Sequence, residues 1–152
     1  MKLTCTKRYD DIPFAHRQPA HKGHCRVLHG HNFSFEFEFE ASSLDACGFV
    51  VDFGGLKELK EWLNKSFDHA LVLNETDPLT RDKNFLTGLN DNDCGGNIFL
   101  VPDCSAEGLA IYVGTFANQL VDQLTRGRTK LTRCTVFEDS RNSATWFTHE
   151  QD

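Results

Sequence analysis

Apolar and charged residues alternate most strictly in Phe33-Ser34-Phe35-Glu36-Phe37-Glu38-Phe39-Glu40. A period of two puts four phenylalanines on one face and three glutamates on the other, which predicts a strand with one face buried under helices. Asp45-Ala46-Cys47-Gly48 then reads as a turn and Phe49-Val50-Val51 as a short strand end. Beyond it the period changes. Asp52 can cap a helix whose Leu56, Leu59 and Leu63 share one stripe, with Trp62 beside them and Lys57, Glu58, Lys60 and Glu61 mostly turned away. A longer helix is predicted where Ala106, Leu109, Ala110, Val113, Phe116, Ala117, Leu120, Val121 and Leu124 keep helical spacing. Ser105 is its N-cap and Gly127 lies just past its end. Residues 130–138 and 145–148 read as closing strands joined by Asp139-Ser140-Arg141-Asn142.

Hairpin pairs separated by helices predict an α+β fold, an antiparallel sheet with helices packed on one face. No linker, repeat or low-complexity tract divides the 152 residues, so residues 1–152 read as a single domain. The connection over about 74–103 is long for a compact domain. It holds Asp77-Pro78, Asn90-Asp91-Asn92-Asp93 and Gly95-Gly96, and reads as a lid or an insertion.

Composition narrows the function. Hydrophobic residues at 39% and charged residues at 25% fit a folded chain and not a disordered one. No apolar run approaches the roughly 20 residues that span a bilayer, and the opening Met1-Lys2-Leu3-Thr4-Cys5-Thr6 lacks a leader's apolar stretch. A soluble, cytoplasmic protein is therefore expected, with no membrane partner. The net charge of −6, from 16 basic and 22 acidic residues, argues against nucleic acid and anionic membranes, although a small anion responds only to local charge. The six cysteines read mostly as reduced thiols.

Histidine is the unevenly placed residue: five of the seven lie between His16 and His31. His29-Gly30-His31 puts two imidazoles on one face of an extended chain, and the glycine between them removes a side chain from the other face. Such a pair can hold Zn²⁺ with a third ligand from an earlier segment, for which His16, His21 and His24 are available. Large barrel hydrolases that use a His-x-His pair need roughly 250 residues, too many for this chain. Cys25 has two readings at this point. It is a fourth ligand of a closed structural site, or a thiolate near the metal whose lowered pKa suits it to act as a base.

Phe14-Ala15-His16-Arg17 followed by Cys25-Arg26-Val27-Leu28-His29-Gly30-His31-Asn32-Phe33 resembles the signature of the 6-pyruvoyl-tetrahydropterin synthase superfamily. Further motifs follow in the family's order. Gly48-Phe49-Val50-Val51-Asp52-Phe53 with Leu56-Lys57 resembles its turn into a helix, and Phe67-Asp68-His69 with Leu73-Asn74 its Asp-His and Leu-Asn motif. Ser105-Ala106-Glu107 resembles the start of its second helix, and Val136-Phe137-Glu138 its late strand ending in glutamate. The resemblance spans nearly the whole chain apart from an expanded connection at 74–102. Three residues, Arg26, Val27 and Leu28, separate Cys25 from the His29-Gly30-His31 run. That gap is similar to the bacterial 6-carboxy-5,6,7,8-tetrahydropterin synthases (QueD type), whereas animal-type pyruvoyl synthases have a longer one. Two departures stand out. Ile12-Pro13-Phe14-Ala15 replaces the acidic or alanine residues often found before the first histidine, and the expanded connection carries Cys94 and Cys104, read as reduced bystander thiols.

The resemblance implies a tunnelling fold: a four-stranded antiparallel sheet with two helices on one face, several chains closing a barrel. It implies a homohexamer built as a dimer of trimers, with sites between subunits. His16, His29 and His31 would hold Zn²⁺, leaving His21 and His24 as solvated loop histidines. Cys25 would be the catalytic base of one chain, with Asp68 and His69 the acid–base pair of a neighbour. Glu138 would accept two N–H donors of the pterin edge, and Glu107 would assist binding, although its place in a first helical turn also suits the helix dipole. The implied substrate is 7,8-dihydroneopterin triphosphate. Its implied products are triphosphate, acetaldehyde and 6-carboxytetrahydropterin, on the way to queuosine and other 7-deazaguanines. A pyruvoyl synthase that stops after triphosphate elimination is the alternative enzyme, and a non-catalytic zinc- or pterin-binding module the alternative of another class.

Overall fold

The computed structural model describes residues 2–90 and 96–148. The chain runs β1 (Leu3–His16), β2 (His29–Ala41), α1 (Lys57–Phe67), β3 (Ala70–Asn74), α2 (Lys83–Asn90), β4 (Asn97–Val101), α3 (Ala106–Thr125), β5 (Thr129–Phe137) and β6 (Ser143–Phe147). These strands form one six-stranded sheet in the order β4-β3-β1-β2-β5-β6. The β1–β2, β2–β5 and β5–β6 pairs are antiparallel, while β1–β3 and β3–β4 are parallel. No helix among the described residues is long and apolar enough to cross a membrane.

The expected α+β class is found, with a larger and mixed sheet. Four antiparallel strands are present, but β3 and β4 extend them to six and α2 adds a third helix. Both additional strands are short apolar runs, Ala70-Leu71-Val72-Leu73 and Ile98-Phe99-Leu100-Val101, without the alternation that marks a half-buried strand. The long connection therefore holds a 3₁₀ turn (Pro78–Arg81), α2 and β4. Cys94, expected as a bystander thiol, lies outside the described residues. Phe49-Val50-Val51 is a bend, not a strand end. Its carbonyls are taken by side chains: Arg128 donates to Phe49 and Val50, and the Thr129 hydroxyl donates to Val50 at 2.7 Å.

β1 hides its pattern for two reasons. Its inward residues before Asp10 include Lys7, which spoils the alternation of polarity. A bulge then shifts the parity: Tyr9 faces Phe35 and Ile12 faces Phe33, three steps of β1 against two of β2. Asp11 takes the extra step with φ of 61° in the left-handed region, which aspartate tolerates better than most residues, and accepts a hydrogen bond from Asn32 at 2.7 Å. After the bulge Ile12, Phe14 and His16 point inward and are buried.

The inner face is aromatic. Phe33, Phe35, Phe37 and Phe39 are fully buried, Phe14 stacks on Phe33 with centroids 3.7 Å apart, and Phe67 of α1 packs on Phe14 and Phe35. Trp62 of α1 stacks on Phe116 of α3 at 3.9 Å, joining the two helices that cover the sheet. Gly114 lets α3 approach, since a Cβ there would sit 2.7 Å from the Trp146 ring and 2.8 Å from Cys134 Cβ. Leu124, expected in the buried stripe, is 47% exposed, so that stripe ends at Val121. The expected caps are present: Ser105 Oγ accepts from Gly108 N, and Asp52 accepts from Gly54 N at the 3₁₀ turn leading into α1. Phe35→Ala is expected to destabilise the fold by about 3–5 kcal/mol, read from urea unfolding, because the cavity opens in the fully buried layer between the sheet and Phe67 of α1.

Candidate functional site

The register that buries the phenylalanines also assembles the histidines. His16 lies directly opposite His29, and Phe14 opposite His31, so all three imidazoles stand on the inner face at one end of the aromatic stripe. One ring nitrogen from each lies within 4.8 Å of the others. Two of the rings are held from behind: His16 Nδ1 is 2.7 Å from the Cys104 carbonyl and His29 Nδ1 is 2.6 Å from the Val27 carbonyl. A carbonyl only accepts, so each Nδ1 carries the proton and each Nε2 of the neutral ring keeps its lone pair. Burial, with smaller contributions from His29 and His31, pushes the His16 pKa down to about 4 although the Cys104 bond opposes it. At neutral pH it is uncharged, the form that ligates. Three imidazoles and an open side match the ligand set of a catalytic zinc, and hydrogen bonds behind the ligands are its usual support. The residues present fit Zn²⁺.

The other expected residues fall into two groups. Glu138 follows the end of β5 and sets Oε1 3.7 Å from His16 Nε2, beyond hydrogen-bond range, so its carboxylate borders the histidine cluster. Cys25 is half-buried in the 3₁₀ turn His24–Arg26, and its carbonyl accepts from Gln18 N at 2.7 Å, which ties that turn to the end of β1. Glu107 is exposed in the first turn of α3. His21 and His24 are exposed and lie outside the cluster.

Asp68 and His69 lie beyond the other side of β1. They form a pair of their own, with His69 Nδ1 2.6 Å from Asp68 Oδ1. His69 has φ of 57°, a strained setting for a non-glycine residue, held by its N–H donating to Pro13 O at 2.8 Å. Its side chain is 84% exposed.

Sequence reasoning missed the layer behind these residues. Asp77 is fully buried, pairs with Arg17 through two hydrogen bonds of 2.6 and 2.8 Å, and also accepts from Leu79 N. Asp77-Pro78 registers in the sequence only as a turn signal. The Arg17 guanidinium holds the Asp77 carboxyl below the usual carboxylate range. A folded-state pKa below the unfolded one gives stability that is present above about pH 4 and lost as pH falls through the lower, folded value. Asp77→Asn is expected to lower stability at pH 7 by about 3 kcal/mol and to flatten the decline below pH 4, both read from urea midpoints against pH.

A family model described as 6-pyruvoyl tetrahydropterin synthase matches residues 4–150. The chain belongs to that family. Among curated proteins it is similar to the 6-carboxy-5,6,7,8-tetrahydropterin synthases of Rickettsia typhi, 41% identical over 76 residues, and Rickettsia bellii, 40% identical over 76 residues. Each match takes in 49% of this chain and 54% of the relative, so the chain spans about half the length of the curated relatives it matches. Among solved structures, an uncharacterized protein from Wolinella succinogenes superposes with a TM-score of 0.83 at 17% identity, over 98% of this chain and 99% of that one. The 6-pyruvoyl tetrahydropterin synthase of Caenorhabditis elegans gives 0.64 at 18% identity, over 98% and 97%. At these identities the likeness is one of fold.

Proposed function

We propose that this protein is a zinc-dependent 6-carboxy-5,6,7,8-tetrahydropterin synthase acting on 7,8-dihydroneopterin triphosphate in queuosine and 7-deazaguanine biosynthesis. The observation that carries this reading is the cluster of His16, His29 and His31 bordered by the Glu138 carboxylate, in a chain of this family. Relatives named for that activity support the choice within the family. His16, His29 and His31 would hold Zn²⁺, which when bound polarises the substrate's side-chain oxygens and eases loss of a proton from the neighbouring carbon. Glu138 accepts the paired N–H donors of the pterin edge and orients its side chain toward the histidines, with Glu107 assisting. Cys25, as thiolate, takes a side-chain proton. His69, oriented by Asp68, returns and relays protons as triphosphate leaves and the carbon–carbon bond breaks. With one water the products balance as triphosphate, acetaldehyde and 6-carboxytetrahydropterin.

The exposure of the Asp68–His69 pair supports its working in a neighbour's site, within a homohexamer of two trimers whose sheets close a barrel. Incubation with 7,8-dihydroneopterin triphosphate and an acetaldehyde assay tests the reading. Acetaldehyde in step with triphosphate is expected. Triphosphate with a 6-pyruvoyl product and no acetaldehyde would assign the pyruvoyl synthase instead, and no turnover would leave a binding module.

A further inference from the structure

We propose that Asn74 is a positioning residue for the metal ligand His16, acting through the backbone of Cys104, whose N–H it holds and whose carbonyl holds His16; this rests on the metal-site reading above. Asn74 ends β3, which lies between β1, the strand that carries His16, and β4, whose last residue Val101 pairs with it. Past Val101 the chain leaves the sheet, and the segment leading to α3 has no ladder partner to fix it. Asn74 supplies one. Its Oδ1 accepts the N–H of Cys104 at 2.7 Å, and the carbonyl of that same residue accepts His16 Nδ1–H at 2.7 Å. Its Nδ2 donates to Gln18 Oε1 at 3.3 Å, and the Gln18 N–H in turn holds the carbonyl of Cys25. The Cys104 thiol adds a weaker tie, donating to Arg17 O at 3.2 Å.

The chain of contacts is directional. His16 is 4% exposed, and among the described residues the Cys104 carbonyl is the one hydrogen-bond partner recorded for its ring. A shift of that carbonyl turns the ring and swings the Nε2 lone pair away from those of His29 and His31. Asparagine suits the position because a short stem carries an acceptor for Cys104 and a donor for Gln18. Aspartate keeps the acceptor, whereas alanine keeps neither group.

The test measures zinc affinity of the purified full chain by competition with a chromophoric chelator, for the unsubstituted protein, Asn74→Ala and Asn74→Asp. Asn74→Ala is expected to bind Zn²⁺ about 10–100-fold more weakly, the usual effect of losing a partner behind a ligand, and Asn74→Asp to stay within about threefold. Affinity of Asn74→Ala equal to that of the unsubstituted protein, with only its melting temperature lowered, marks Asn74 as purely structural and overturns the proposal. Long-range ¹H–¹⁵N spectra of the metal-free protein give a second readout that does not depend on zinc. His16 should be a single Nδ1–H tautomer in the unsubstituted protein and in Asn74→Asp, and a mixture in Asn74→Ala. A mixture or an Nε2–H tautomer in either of the first two overturns the proposal, including where Asn74→Ala fails to fold. If the unsubstituted protein binds no zinc, the metal-site reading fails by itself, and these spectra still decide the role of Asn74.

Discussion

Cys25→Ala is expected to lower turnover of 7,8-dihydroneopterin triphosphate by about 10²–10⁴-fold while zinc stays bound, the loss typical of removing a general base. The two halves of that result separate the readings of this thiol. The histidine cluster forms without Cys25, which sits on the adjacent turn, half-buried and held by its own backbone. Its truncation removes one small group and leaves the backbone tie to Gln18 intact. A fourth ligand would behave differently, since alanine would then release the metal. Turnover and zinc content measured on the same preparation decide: full turnover refutes the base, and loss of zinc assigns a closed structural site.

His29→Ala is expected to weaken zinc binding by about a hundredfold or more, beyond the usual effect of losing a partner behind a ligand, and to abolish turnover with it. His29 is the cleaner position of the cluster to test. His16 is buried against Phe14 and Phe33, so its truncation combines lost packing with lost ligation. His29 is half-buried at the start of β2, where the ladder begins, and the metal-free variant should unfold within a few degrees of the unsubstituted protein. Chelator competition and a thermal melt check the two statements separately. Unchanged zinc affinity would remove His29 from the site.

How much of this was legible depended on whether a feature is carried by local pattern or by pairing. The Phe33–Glu40 alternation announces β2, and the apolar stripe with Ser105 and Gly127 announces α3, because each element shows its period along its own residues. Gly127 even adopts the positive φ, 80°, expected just past a helix end. β1 stays hidden although it is the longest strand, because Lys7 points inward and the Asp11 bulge reverses the parity midway. That bulge also decides the site: with Asp11 paired regularly in the ladder instead of bulged, His16 would face away from His29 and His31. The His29-Gly30-His31 pair was readable from spacing alone. His16 was separable from His21 and His24 only through resemblance, since the cross-strand register that selects it is not local. The ties within the supporting layer of Asn74, Asp77, Cys104 and Arg17 had no local signal because they span 30 to 88 residues of chain, although Asn74 and Arg17 stand in motifs the resemblance carries.

The most direct test of the whole account is metal dependence of the chemistry. Protein stripped with chelator, returned to buffer, and titrated with Zn²⁺ should gain acetaldehyde-forming activity in proportion to zinc bound, saturating near one ion per chain. Undiminished acetaldehyde formation by the stripped protein, with no zinc detectable, would contradict the account at its centre.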